Sequence, residues 1–298
     1  MRALVTGATG FIGRKLVSRI EHPMVLSRRP EAARKIFPGA QVFAWEPETG
    51  PPPSEAMEGV EVVFNLAGES VAGGRWTRDR KERIRRSRVE GTRNLVRGLE
   101  ALKKRPRALV SASAVGYYGS RGDVVLTETA KPGDDFLAEV CVAWEAEANQ
   151  AASLGLRVVT PRVGVVLGRD GGALARMLPP FKLGLGGRLA SGRHWMPWIH
   201  LDDLVEILLF AGKFKISGAI NAVAPTPVMN SEFTRALAAT LQKPAIFPVP
   251  EFALRVMFGE LASVLLASQR VVPEVAIKSG IRFKYASLRD ALRVILEK

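Results

Sequence analysis

The chain has 298 residues, with 43 Lys plus Arg against 29 Asp plus Glu and a formal net charge of +14. Hydrophobic residues at 47% and charged residues at 24% exclude a disordered chain, and this length buries a core without staples. The single cysteine, Cys141, excludes an internal disulfide framework, and three histidines (His22, His194, His200) leave no zinc-ligand set, so no metal is expected.

Taken in chain order, short β-branched runs alternate with helical periods. A strand over 3–5 precedes a helix over 12–20, and a strand over 24–26 precedes a helix over 31–37. Strands follow over 42–45 and 60–66, with 48–54 (Pro51-Pro52-Pro53) as a connecting loop. A basic helix leads to a strand over 108–113, and a helix near 136–153 leads to a sixth strand from Arg157. After Gly168 the pattern loosens: glycines and aromatics crowd 184–198, an amphipathic helix follows Asp202-Asp203, and helices dominate from Ser231. The alternation predicts an α/β fold, a Rossmann-type doubly wound parallel sheet with a smaller, partly helical C-terminal lobe. Residues 1–168 are expected to form the dinucleotide-binding domain, to which later segments return, and 169–298 the substrate lobe.

Thr6-Gly7-Ala8-Thr9-Gly10-Phe11-Ile12-Gly13 lies between the first strand and the first helix. Glycines at 7, 10 and 13 allow a tight turn, close backbone approach to a pyrophosphate and close helix–sheet packing. The second strand ends in Ser27-Arg28-Arg29, without the carboxylate that an NAD site uses on the ribose. Two guanidinium groups suit a 2′-phosphate, so NADP(H) is the expected cofactor.

The positive charge is concentrated. From Arg75 to Arg107 there are 14 basic residues and four acidic ones. At 100° per residue, Ile84, Gly91, Leu95 and Leu102 share one direction and Arg88 lies about 40° from it, facing the sheet. A buried arginine needs a partner, and a cofactor phosphate or ribose is the natural one. Arg86, Arg93 and Arg97 point outward as a solvated face, with few aromatics for stacking on nucleic acid. No apolar run reaches the ~18 residues that span a bilayer, and the first residues read as a strand rather than a signal peptide. A cytoplasmic protein with a small-molecule substrate, and neither membrane nor nucleic acid as partner, is therefore expected; oligomeric state is left open.

Together, Thr6–Gly13, Asn65-Leu66-Ala67-Gly68-Glu69, Ser87-Arg88, Ser111-Ala112-Ser113 with Tyr117-Tyr118-Gly119, Pro161–Gly168, Gly184–Gly187 and Trp198–Asp203 resemble an extended short-chain dehydrogenase/reductase. They are similar to its atypical "epimerase family protein" branch, related to sugar-nucleotide epimerases and ending in a segment of unknown role. The resemblance implies that Ser27 and Arg28 hold the adenosine phosphate and that Leu66 and Ala67 line the cofactor. It also implies that Arg88 reaches the cofactor, that Val163 lies near the nicotinamide, and that Ser113 polarises a substrate oxygen. Active members carry a Tyr-x-x-x-Lys pair on the helix after the fifth strand, where the lysine lowers the tyrosine's pKa. Leu137 and Cys141 take those positions here if Glu145 anchors the alignment.

Tyr117 or Tyr118 is thus the candidate proton donor beside Ser113, with packed loop aromatics as the alternative; Asp135 and Glu139 suit the helix dipole better. Cys141 shares a helical stripe with Leu137, Val140, Trp144 and Ala148 and reads as core. Trp195, Trp198 and His200 are candidate pocket residues, with simple packing as the alternative, and Arg162 and Arg193 candidate anion receptors. Two functions follow: an NADP(H)-dependent oxidoreductase or epimerase on a small carbonyl, hydroxy or sugar-nucleotide substrate, or an NADP(H)-binding sensor or scaffold with little turnover. A nucleic-acid binder is a third, resting on charge alone.

Overall fold

In a computed structural model that describes residues 1–297, the β-branched runs pair into an all-parallel sheet. The first half runs β1 (Arg2–Thr6), α1 (Phe11–Val17), β2 (His22–Ser27), α2 (Pro30–Ile36), β3 (Gln41–Ala44), β4 (Val62–Asn65), α3 (Arg78–Glu100) and β5 (Ala108–Ser111). Next come β6 (Ser113–Ala114), β7 (Val125–Leu126), α4 (Phe136–Asn149), β8 (Arg157–Val163) and β9 (Val165–Leu167). Then follow α5 (Gly172–Lys182), β10 (Trp195–Met196), β11 (Trp198–His200), α6 (Leu201–Lys213) and β12 (Gly218–Ala222). The chain closes with β13 (Val228–Met229), α7 (Asn230–Leu241), α8 (Glu251–Phe258), α9 (Leu261–Leu266), β14 (Arg270–Val271), α10 (Glu274–Lys278) and α11 (Leu288–Leu296).

The strand order is β12-β8-β5-β4-β1-β2-β3, with β6 also on β8. From β1 the chain winds outward to β3, then crosses back to β4 on the other side. That reversal opens a crevice at the carboxyl ends of β1 and β4, where doubly wound sheets bind ligands. Alternation along each strand builds two layers of core. Ala3 and Val5 face Leu16 and Leu204, whereas Leu4 and Val63 face Leu95 and Leu99. On α3, Ile84, Gly91 and Leu95 are buried while Arg86, Arg93 and Arg97 are exposed, so the periodicity holds.

The chain after Gly168 contributes to both parts of the molecule. Leu204, Ile207, Leu208 and Ala211 of α6 share the core of Val5 and Phe64, and β12 forms the sheet edge. A separate cluster of Leu174, Phe181, Trp198, Phe233, Leu237 and Leu292 builds the helical lobe. Asp203, almost fully buried, ties the C-terminal segment to α6 by accepting from the backbone N–H groups of Lys284 and Tyr285.

Candidate functional site

The glycine turn is shaped from behind by polar side chains. Thr6 Oγ1 donates to Asn65 Oδ1 at 2.7 Å and accepts from the N–H groups of Leu66 and Ala67, each at 3.1 Å. Asn65 Nδ2 in turn donates to Thr92 and Ser111. This cluster draws the β4 exit against Gly7, whose φ is +66° and whose Cβ would lie 2.6 Å from Leu66 O. Only glycine fits there. Gly7, Gly10, Phe11, Ile12, Gly13, Leu66 and Val163 then border one cavity of 380 Å³. Ser70, Ala112 and Gly172 border it too; sequence reasoning did not single them out, because Ser70 and Ala112 sit between elements without a periodic signal and Gly172 only opens α5. The Phe11 ring is seated on the glycine loop after β9, which leaves no room for a Cβ at Gly168, Gly171 or Gly172.

Two arginine groups flank this crevice. Arg28 and Arg29 are exposed at the end of β2, where Ser27 Oγ accepts from the Arg29 N–H. Arg88 turns inward from α3 as its helical phase predicts. Its Nη1 donates to Glu69 O (2.9 Å) and Ile84 O (3.1 Å), and its guanidinium packs on Gly68 and over the Trp144 ring. Desolvation lowers its pKa. Its Nε and Nη2 make no hydrogen bond to an acceptor among the described residues. Thr9 is exposed at the turn, and Ala67 and Gly68 carry the backbone past Arg88.

Ser113 belongs to a buried polar network. Its hydroxyl donates to Glu145 Oε1 at 2.6 Å, and Arg162 grips both oxygens of that carboxylate, each at 2.9 Å. Arg162 Nη1 also donates to Tyr118 Oη (3.0 Å) and to Glu128 O. Desolvation opposes the Arg162 charge, but Glu145 and Tyr118 together outweigh it and raise its pKa. Tyr118 is fully buried; its hydroxyl donates to Asn221 Oδ1 at 2.6 Å, and burial pushes its pKa up to about 12. Both expectations for these residues need correction. Tyr118 has its proton committed within the core, and Arg162 is a structural ion-pair partner rather than a receptor for an anionic substrate. Tyr117 is different: it is half-buried, with the Arg162 guanidinium 3.4 Å from its ring centroid. Cys141 is core, its Sγ facing Ala114 O, and burial pushes the thiol up to about 11.

The aromatic stretch before α6 is also mostly internal. Trp198 is buried in the lobe core and is not a pocket-lining residue. Trp195 donates to Asp123 Oδ1 under the Arg270 guanidinium, and Arg193 is exposed. None of the three borders the crevice cavity. His200 is buried against Tyr285, and its Nδ1 accepts from the Asp202 N–H at 3.0 Å, capping α6. It is thus a helix cap and not an exposed pocket residue.

Burial lowers the His200 pKa from 6.5 to about 4, which has a consequence for stability. Between these values the unfolded chain binds the proton and the folded chain does not. Stability is therefore full above pH 6.5 and is lost as pH falls toward 4, by about 3 kcal/mol across the window. His200→Asn keeps a capping acceptor without titrating, so its melting temperature should fall less steeply over that window. An unchanged slope in the variant would contradict this assignment.

Over residues 3–222 the chain matches the NAD dependent epimerase/dehydratase family, and over 249–295 a domain of unknown function, DUF1731. It is 42% identical to the "Epimerase family protein SDR39U1 homolog, chloroplastic" of Arabidopsis thaliana, covering 100% of this chain and 87% of that protein. It is 37% identical to "Epimerase family protein YfhF" of Bacillus subtilis, covering 99% and 98%. The crystal structure of human epimerase family protein SDR39U1 (isoform 2) with NADPH superposes with a TM-score of 0.89 at 34% identity, covering 100% of each chain. These matches run from the glycine turn to the C-terminal helices, and the chain belongs to the NAD dependent epimerase/dehydratase family.

Proposed function

We propose that this chain is an NADP(H)-dependent oxidoreductase acting on a small hydroxy or carbonyl compound, with sugar nucleotides within that class. The observation that carries the reading is the single cavity bordered by the glycine turn, with the exposed Arg28 and Arg29 at the β2 end and the inward Arg88 beyond Gly68. The free donors of Arg88 and the missing β2 carboxylate fit a phosphorylated dinucleotide, and the NADPH in the human relative supports it. Arg28→Ala should weaken NADPH binding by about tenfold to hundredfold and leave NADH nearly unchanged, as read by fluorescence titration. Equal loss for both nucleotides would contradict a role at the 2′-phosphate.

The bound cofactor supplies the hydride chemistry. Ser113 directs its proton to Glu145, so its oxygen keeps lone pairs for a substrate hydroxyl. With Tyr118 sequestered, the half-buried Tyr117, stacked on the Arg162 guanidinium, is the phenol left for proton transfer. Turnover of a carbonyl and alcohol panel tests this. Tyr117→Phe should lower kcat by about 100-fold or more while NADPH binding persists. Persistent turnover in Tyr117→Phe removes that residue from the chemistry.

A second reading, an NADP(H)-binding sensor with little turnover, draws on Leu137 and the buried Cys141 at the positions of the usual pair. Tight NADPH binding without turnover across the panel would select it. The nucleic-acid reading loses support from the surface pairing on α3, where Arg86 meets Glu48 and Glu90, and Arg93 meets Glu147.

A further inference from the structure

One face of the C-terminal lobe carries large apolar side chains that none of the described residues covers. On α8 only Leu254 is buried, while Phe252 is 71% exposed and Val256 and Met257 are also exposed. Leu183 (74% exposed) and Leu185 project from the end of α5, and Ile246 (73%) and Phe247 precede α8. These stretches run side by side. The Val249 N–H donates to Arg188 O, the Ala190 N–H donates to Val249 O, and a Cβ on Gly184 would touch Pro244. Scattered exposed apolar residues are ordinary, but a contiguous set marks an interaction surface.

The charges on the same segments are predominantly positive. Residues 182–188 and 243–257 contain Lys182, Arg188, Lys243 and Arg255, all exposed, against one acidic residue, Glu251, which is paired with Arg255. A second copy docked on this face would set these cations against their own equivalents. An anionic surface with an apolar interior meets both features, since surface anchoring combines buried apolar area with basic attraction. No helix among the described residues is long and apolar enough to cross a membrane, and peripheral docking requires none.

We propose that this face docks on an anionic phospholipid bilayer, with Phe247, Phe252 and Val256 entering the acyl boundary and Lys182 and Lys243 meeting the head groups. The sequence expectation of no membrane partner rested on the absence of a spanning run, which does not bear on docking at the surface. The docked helix touches the loop after β4, where Arg75 donates to Val256 O, and Lys81 on α3 pairs with Glu260 just past that helix. That loop carries Ser70 at the edge of the cavity, so the bilayer contact adjoins the crevice.

Vesicle sedimentation of the full chain tests the proposal, with vesicles of phosphatidylcholine alone and with a third of the lipid as phosphatidylglycerol. Binding to the anionic vesicles, weak on phosphatidylcholine and reduced at high salt, is expected. Phe252→Asp with Val256→Asp should lower partitioning by about tenfold or more, with NADPH binding retained. Lys182→Glu with Lys243→Glu leaves the apolar face intact and should lower it by about tenfold or more. No binding to anionic vesicles at low salt, or unchanged binding in both double variants, overturns the proposal. So does a dimer in sedimentation velocity that Phe252→Asp dissociates while vesicles recruit no protein.

Discussion

Replacing Arg162 by alanine is expected to lower the unfolding free energy by about 3–5 kcal/mol, because it strands a buried carboxylate. Glu145 is buried and loses two of its three hydrogen bonds, both charge-assisted, when the guanidinium goes. Tyr118 Oη loses a donor in the same step, and Glu128 O another. The variant should melt about 6 °C or more below the parent chain in a thermal scan. Arg162→Lys should recover little, since an ammonium lacks the fork that holds both carboxylate oxygens. Arg162→Met combined with Glu145→Leu should recover much of the loss, because no charge is then left unpaired. A loss below about 1 kcal/mol in Arg162→Ala would mean that water solvates Glu145.

This pair also shows where the sequence stops being informative. The glycine turn, Arg88 and the outward arginines of α3 were readable because each depends on local spacing: a turn, a helical phase and a surface stripe. Glu145 and Arg162 lie on different elements, α4 and β8, and meet only because β6 sets Ser113 opposite Arg162 in the sheet register. Nothing in either local sequence announces the other. The two tyrosines were equivalent on paper for the same reason. Adjacent residues in a tight turn project in different directions, so Tyr118 meets Asn221 of β12 while Tyr117 stays at the edge. The strand β12 carries little signal of its own, because its short Gly218–Ala222 run after α6 holds a single β-branched residue, Ile220. The apolar face of α8 escaped because hydropathy records which residues are apolar, but only the fold determines which of them remain uncovered.

Gly13→Ala is expected to weaken NADPH binding by about tenfold to hundredfold, through displacement of the turn rather than loss of a contact. A Cβ at Gly13 would lie 2.3 Å from Gly7 O and 2.7 Å from Ala8 Cα, both backbone atoms that no side-chain rotation can clear. Relief requires α1 to move away from the Gly7-Ala8 turn. That motion pulls on Gly7, which is already confined by Leu66 O on its other side, and on Gly10, whose N–H donates to Gly7 O at 3.0 Å. The crevice wall therefore shifts as a unit. Gly10→Ala should be milder, since its only close neighbour is Gly7 O at 3.2 Å, and Gly39→Ala, with nothing within 4 Å, should be silent. The graded series separates turn geometry from general destabilisation when each variant's melting temperature is measured beside its NADPH titration. If Gly13→Ala binds NADPH as tightly as Gly39→Ala, the close approach of α1 to the Gly7-Ala8 turn does not control the cavity.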